Sequence, residues 1–139
     1  ARQAFEHFFY PDTISTDLHR YSVERFAFDL PTVMSKFLHL GMSLEEVILK
    51  TTANPARAIG REGELGTLRA GAAADLLVFS LDEGEFLFED THLRTVTATR
   101  RITPRRVMKD GRWVEPVAVG LRPLYECDHD VIRYIEETA

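Results

Sequence analysis

The chain has 139 residues, of which 45% are hydrophobic and 28% charged, a composition that supports a buried core and excludes a disordered or fibrous chain. Its 17 Lys and Arg against 22 Asp and Glu give a net charge of -5, which leaves no basic excess to bind nucleic acid. The lone Cys127 excludes an internal disulfide and fits a reducing, cytoplasmic setting, and no apolar run reaches the ~18 residues of a membrane-spanning helix.

In chain order, Ala4, Phe5, Phe8 and Phe9 recur at helical spacing until Pro11, so residues 1–9 are expected to form the tail of a helix with the phenylalanines on its apolar face. The run from Pro11 to His19 carries β-branched residues and predicts a brief strand leading into a loop, which holds Tyr21, Phe26 and Phe28. Asp29 is placed to cap a helix with Pro31 in its first turn, Val33, Met34, Phe37 and Leu38 on its buried face, and Gly41 closing it. Ser43 and Glu46 then make a capping box, with Met42 and Val47 spaced as a hydrophobic staple around it. Val47, Ile48 and Thr51 form the inward stripe of this second helix. Asn54-Pro55 predicts a short further helix, with Asn as its cap and Gly60 near its end.

From residue 61 the pattern changes to short apolar runs separated by glycine. Leu76 to Phe79 reads as a buried strand preceded by Asp75, and Leu93 to Ile102 alternates threonines with Val96 and Ala98. Val107 to Val114 is a hairpin whose two-residue turn is Asp110-Gly111. Phe79 and Trp113 read as core strand residues. A linker around Pro123 and a charged tail helix over about residues 128–137 complete an α+β layout.

Among candidates for chemistry, the five histidines are scattered and no H-x-H, H-E-x-x-H, phosphate loop or nucleophile elbow is present. Cys127 lies between Glu126 and Asp128, acids that disfavour a thiolate. The most suggestive cluster is Ser15-Thr16-Asp17-Leu18-His19, because a carboxylate at a strand end stands on rigid backbone beside an open loop and can hold a metal ion or move a proton. From these five residues alone, an Asp17 that caps a turn and a His19 on the surface is the commoner reading. Asn54 and Asp75 have equally plain structural readings, as a helix cap and a turn partner.

The pieces taken together are more specific. The Pro11 to His19 segment, then Met34-Ser35-Lys36-Phe37-Leu38, then T-x-N-P-A over Thr52 to Ala56, then G-x-L-x-x-G-x-x-A-D-L-x-V-F over Gly66 to Phe79, resemble the amidohydrolase superfamily, nearest its dihydroorotase-like deacetylase branch. The resemblance spans residues from about 5 to 115. It implies the last βα portion of a TIM-type (β/α)₈ barrel over residues 1–60, closing helices included. Residues 61–116 would be the C-terminal strands of a small β-sandwich, and 117–139 a linker and tail helix. It further implies a metal-dependent hydrolase of amide or ester bonds in small molecules, a deacetylase first. A dihydroorotase or hydantoinase type of cyclic amidohydrolase is the alternative, and a non-catalytic oligomerisation module the alternative of another class.

In that comparison Asp17 corresponds to the aspartate at the end of the eighth barrel strand, both a metal ligand and the general base, and His19 to a substrate contact at the mouth of the site. The implied cofactor is one or two divalent metal ions, Zn²⁺ first. A complete barrel needs about 250 residues, and the family's remaining metal ligands have no counterpart here, so the chain is expected to be the C-terminal part of a longer enzyme. Its expected partners are a small-molecule substrate and either a second copy or the missing N-terminal portion, with neither nucleic acid nor membrane among them. A catalytic Zn²⁺ site needs about three protein ligands. The isolated chain with added Zn²⁺ is therefore expected to release no acetate from N-acetyl or O-acetyl substrates, and turnover above the uncatalysed rate would refute this.

Overall fold

The computed structural model describes residues 2–18, 29–90 and 92–114. Its helices are α1 (Arg2–Glu6), α2 (Leu30–His39), α3 (Leu44–Thr51) and α4 (Ala53–Ala58), and its strands β1 (Leu76–Glu89), β2 (Thr95–Lys109) and β3 (Arg112–Val114). The linker and tail helix expected beyond residue 116, and nearly all of the loop from Arg20 to Asp29, lie outside the described residues.

Local chemistry sets the helix ends. The Asp29 side chain accepts from the Thr32 amide at 2.7 Å and starts α2. Gly41, at φ +101°, ends it: the Gly41 amide donates to the Leu38 carbonyl and the Met42 amide to that of Phe37, the paired bonds of a Schellman closure. The capping box is present in both directions, with the Ser43 amide donating to Glu46 and the Glu46 amide to Ser43 Oγ.

In the N-terminal half, three expectations need correction. Helix α1 stops at Glu6, with Phe8 in a left-handed conformation at φ 58°, so only Phe5 turns inward, against Tyr10 and Phe37, while Phe8 and Phe9 face outward at 83% and 73% exposure. Helix α4 follows Thr52 and not Asn54, which sits inside the helix with its side chain engaged elsewhere. The Pro11 to Leu18 stretch forms no ladder: a strand needs a neighbouring strand, and its backbone bonds instead to a helix end, the Ile14 amide donating to the Lys50 carbonyl at 2.8 Å.

The three strands form one antiparallel sheet in the order β1-β2-β3. They run well beyond the expected limits of residue 79 and residue 102. The acidic, glycine-containing stretch Asp82 to Glu85 resembles a turn, yet the facing strand supplies complementary groups, since Glu83 lies opposite Arg100 and Asp82 accepts from Thr103 at 2.6 Å. Pro104 is tolerated inside β2 because the register shifts there. Val78 pairs with Arg106 and Phe79 with Pro104, leaving Arg105 as the extra residue of a bulge. Strands β2 and β3 join through Asp110 and Gly111, both at positive φ (50° and 76°), as the two-residue turn requires. Trp113 is not a core residue: it is 47% exposed and stacks under the Arg106 guanidinium at 3.7 Å.

The core lies between α2, α3 and one face of the sheet, where Ile14, Met34, Leu38, Met42, Val47 and Ile102 are buried together. Among the described residues, one polar side chain is buried with it. Ser35 is wholly buried, donates to the Pro31 carbonyl at 2.7 Å and accepts from the Ile102 amide at 2.9 Å. Its neighbour Lys36 donates to the Glu89 carbonyl at 2.7 Å, so adjacent residues of α2 reach both long strands. Ser35→Ala leaves the Ile102 amide buried without an acceptor, and a loss of about 1–3 kcal/mol in chemical denaturation is expected.

Candidate functional site

The candidate site is the segment from Pro11 to Asp17, and two anchors set its course. Ile14 is buried at 5% exposure in the core, and the polar groups of α3 and α4 hold the residues before it. Lys50 Nζ donates to the Pro11 carbonyl at 2.6 Å and Asn54 Nδ2 to the Asp12 carbonyl at 2.8 Å. Past Ile14 the chain emerges from the core, and Asp17 stands exposed at φ 49°. Asp and Asn adopt this left-handed conformation more readily than other non-glycine residues. Asp17 is thus an outward carboxylate at the exit of a pinned extended segment. His19 lies outside the described residues.

No group of three or more His, Cys, Asp or Glu side chains gathers in one place among the described residues. A depression of about 240 Å³ lies between Ala53 and Arg69, and one of about 280 Å³ between Arg2 and Leu40, and Asp17 lines neither.

The segments that stood out in the sequence meet here for physical reasons. Gly66 lies against the α3–α4 junction: a Cβ built on it would be 2.4 Å from the Thr52 carbonyl oxygen, and its φ of +65° further restricts the position to glycine. The T-x-N-P-A step and the first glycine of the following motif are therefore one contact. Asp75 accepts from the Asp110 amide at 2.9 Å and from Lys109 Nζ at 2.8 Å, while the Gly111 amide donates to the Ala74 carbonyl. It satisfies a turn as expected, but the turn is the distant one between β2 and β3.

Sequence reasoning missed Lys50 and took Asn54 for a cap. Asn-Pro at a helix start looks the same whether the amide caps locally or reaches 42 residues away. Lys36 was noted only within a motif. Burial against the sheet lowers its ammonium pKa, opposed by the nearby carboxylates of Asp90 and Glu89.

The amide of Asp110, and then the ammonium of Lys109, hold the Asp75 carboxyl below its ordinary value of 3.8. A depressed carboxyl stabilises the fold above its unfolded pKa, and this contribution is lost as pH falls through the lower native value. Amide protection at Asp110 and Gly111 is therefore expected to hold at about pH 5 and fall towards about pH 2. In Asp75→Asn that acid-dependent change should disappear.

Comparison with known proteins bears on this geometry. A family model described as the amidohydrolase family matches residues 1–114. A deacetylase of Brucella anthropi is 36% identical over 105 residues, covering 76% of this chain and 26% of that protein. A deacetylase of Agrobacterium fabrum is 37% identical over 95 residues, 68% of this chain and 23% of its own length. An imidazolonepropionase of Geobacillus kaustophilus is 45% identical over 87 residues, 60% of this chain and 20% of the other. Among solved structures, an adenine deaminase superposes with a TM-score of 0.75 at 29% identity, over 83% of this chain and 31% of that one. A dihydroorotase does so at 0.71 and 31% identity, over 81% and 30%. The chain spans about a quarter of the length of the curated relatives it matches.

Proposed function

Starting from the fact that this chain belongs to the amidohydrolase family, we propose that it is the C-terminal part of a hydrolase that cleaves C–N bonds of small molecules, a deacetylase first, with Asp17 as general base. In this reading residues 1–60 are the last strand and closing helices of a (β/α)₈ barrel, and the strands that follow are its share of a β-sandwich. The outward-facing Phe8 and Phe9 support further protein lying over this side of the chain. The remaining partners are the rest of the same enzyme or a second copy, in the cytoplasm.

The observation that carries the reading is the placement of Asp17, an exposed carboxylate on a segment anchored from the core by Ile14 and from the helices by Lys50 and Asn54. A carboxylate oxygen there can take the proton of a water whose oxygen attacks the substrate carbonyl carbon. It then returns that proton to the leaving nitrogen as the C–N bond breaks, giving a carboxylic acid and an amine. His19, two positions further on, is the proposed substrate contact.

A divalent metal, Zn²⁺ first, is the cofactor of this reading, and when bound it polarises the carbonyl. The described residues do not form a metal site by themselves. Asp17 fits one ligand position, and the other ligands would come from protein outside this chain.

The deacetylases among the curated relatives cover the larger shares of this chain and favour removal of an acetyl group. Cyclic-amide hydrolysis is the second reading, favoured by the likeness to a dihydroorotase structure. Assay of the full-length enzyme on N-acetyl amino acids and on cyclic amides separates the two.

For the general base the decisive variant is Asp17→Asn in the full-length enzyme, since asparagine keeps the left-handed backbone accessible while removing the basic oxygen. A fall in kcat of at least about 100-fold with an unchanged melting temperature is expected. A side chain that merely capped a turn would keep its turnover and lose about 1 kcal/mol of stability.

A further inference from the structure

An extended segment held only by ladder bonds is poorly specified along its own axis, because those bonds repeat. A slip of one residue would turn Asp17 to the opposite face, and a slip of two would carry it roughly 6–7 Å along the chain. The structure adds to the burial of the Ile14 side chain three bonds made at fixed points along the segment. Lys50 Nζ takes the Pro11 carbonyl, Asn54 Nδ2 takes the Asp12 carbonyl, and the Lys50 carbonyl receives the Ile14 amide.

We infer that Lys50 and Asn54 are positioning residues for Asp17, locking the axial register of the segment that carries it. The inference rests on the reading of Asp17 as general base. Side chain and backbone of Lys50 act together, gripping the segment at both Pro11 and Ile14. A donor that carries a charge makes the stronger bond to a carbonyl.

The break between the two helices makes the double grip possible. Thr52 adopts φ -128°, ψ -84°, outside helical geometry, so that α3 ends and α4 begins with Lys50 and Asn54 both reaching the same segment. Gly66 packs over this junction, where no side chain fits. The T-x-N-P-A step thus acquires a role in the site as well as in the helix start.

The lever is long enough to matter. Asp17 lies beyond Ile14 by roughly 10 Å of extended chain. A slack of about 10° at the anchor would displace the carboxylate by about 1.7 Å, and misplacement of about 1 Å is enough to lower a rate by about 100-fold.

The test uses the full-length enzyme, with whichever of the N-acetyl, O-acetyl or cyclic-amide probes it hydrolyses. Lys50→Met, which keeps the stem and removes the donor, and Asn54→Ala should each lower kcat about tenfold or more while KM stays within about twofold. Lys50→Arg restores a donor and should stay within about threefold of the parent kcat. Ser43→Ala, which weakens the far end of α3, supplies the control for stability alone and should leave kcat unchanged. In the metal-stripped protein, hydrogen exchange over residues 11–18 should be faster in Lys50→Met and Asn54→Ala than in the parent or the control. If Lys50→Met does not fold, Lys50→Gln takes its place.

If the Lys50 and Asn54 variants match Ser43→Ala in kcat, or exchange over residues 11–18 is the same in every protein, the positioning role is overturned while the reading of Asp17 stands. Turnover that survives Asp17→Asn overturns that reading instead, and it shows in a different variant.

Discussion

The hydroxyl of Ser35 is the hinge on which the two halves of this chain meet. Strand β2 pairs with β1 along one side, but β3 covers its other side only from Val107 to Lys109. An unpaired edge leaves backbone groups in need of partners, and burial makes that need acute. A helix cannot supply ladder bonds, but a serine on its inner face can supply one. By donating to Pro31 and accepting from Ile102, the hydroxyl is used in both directions and gives the Ile102 amide its acceptor. Close approach of α2 to the sheet follows, and Met34 and Leu38 pack beside Ile102 because of it.

The same economy explains why the motif residues lie where they do. Gly66 allows a loop to press on the Thr52 carbonyl, and Asp75 ties the start of β1 to the turn that ends β2. The first seats the junction from which Lys50 and Asn54 reach the Pro11 to Ile14 segment. The helices, the glycine loop and the sheet therefore act as a frame around one short stretch of extended backbone.

Features governed by neighbouring residues were legible in the sequence. The Ser43–Glu46 box, the Asp29 cap, the Gly41 closure and the Asp110-Gly111 turn each depend on bonds spanning a few positions. Features governed by distant partners were not. The lengthening of β1 through Asp82 and Glu83 depends on what faces them, and Trp113 finds its place over Arg106 instead of in the core. The motif singled out Asp17 as a candidate, but the bonds that hold the segment before it were not legible, because Asn54 and Lys50 bond to backbone carbonyls that carry no signature of their own.

The bond from Ser35 to Ile102 also bears on the order in which the chain assembles. Strands β1 and β2 are joined by a short connection in which Asp90 accepts from the amides of His92 and Arg94, so this hairpin can close from local encounters. The helix-to-sheet bond spans 67 residues and must wait for a much larger loop to find its ends. Zippering of the hairpin ahead of helix docking is the sequence of events that such connectivity favours. During that interval the face of β2 around Ile102 stands open to water, and the window for misassociation during synthesis is set by how quickly α2 arrives.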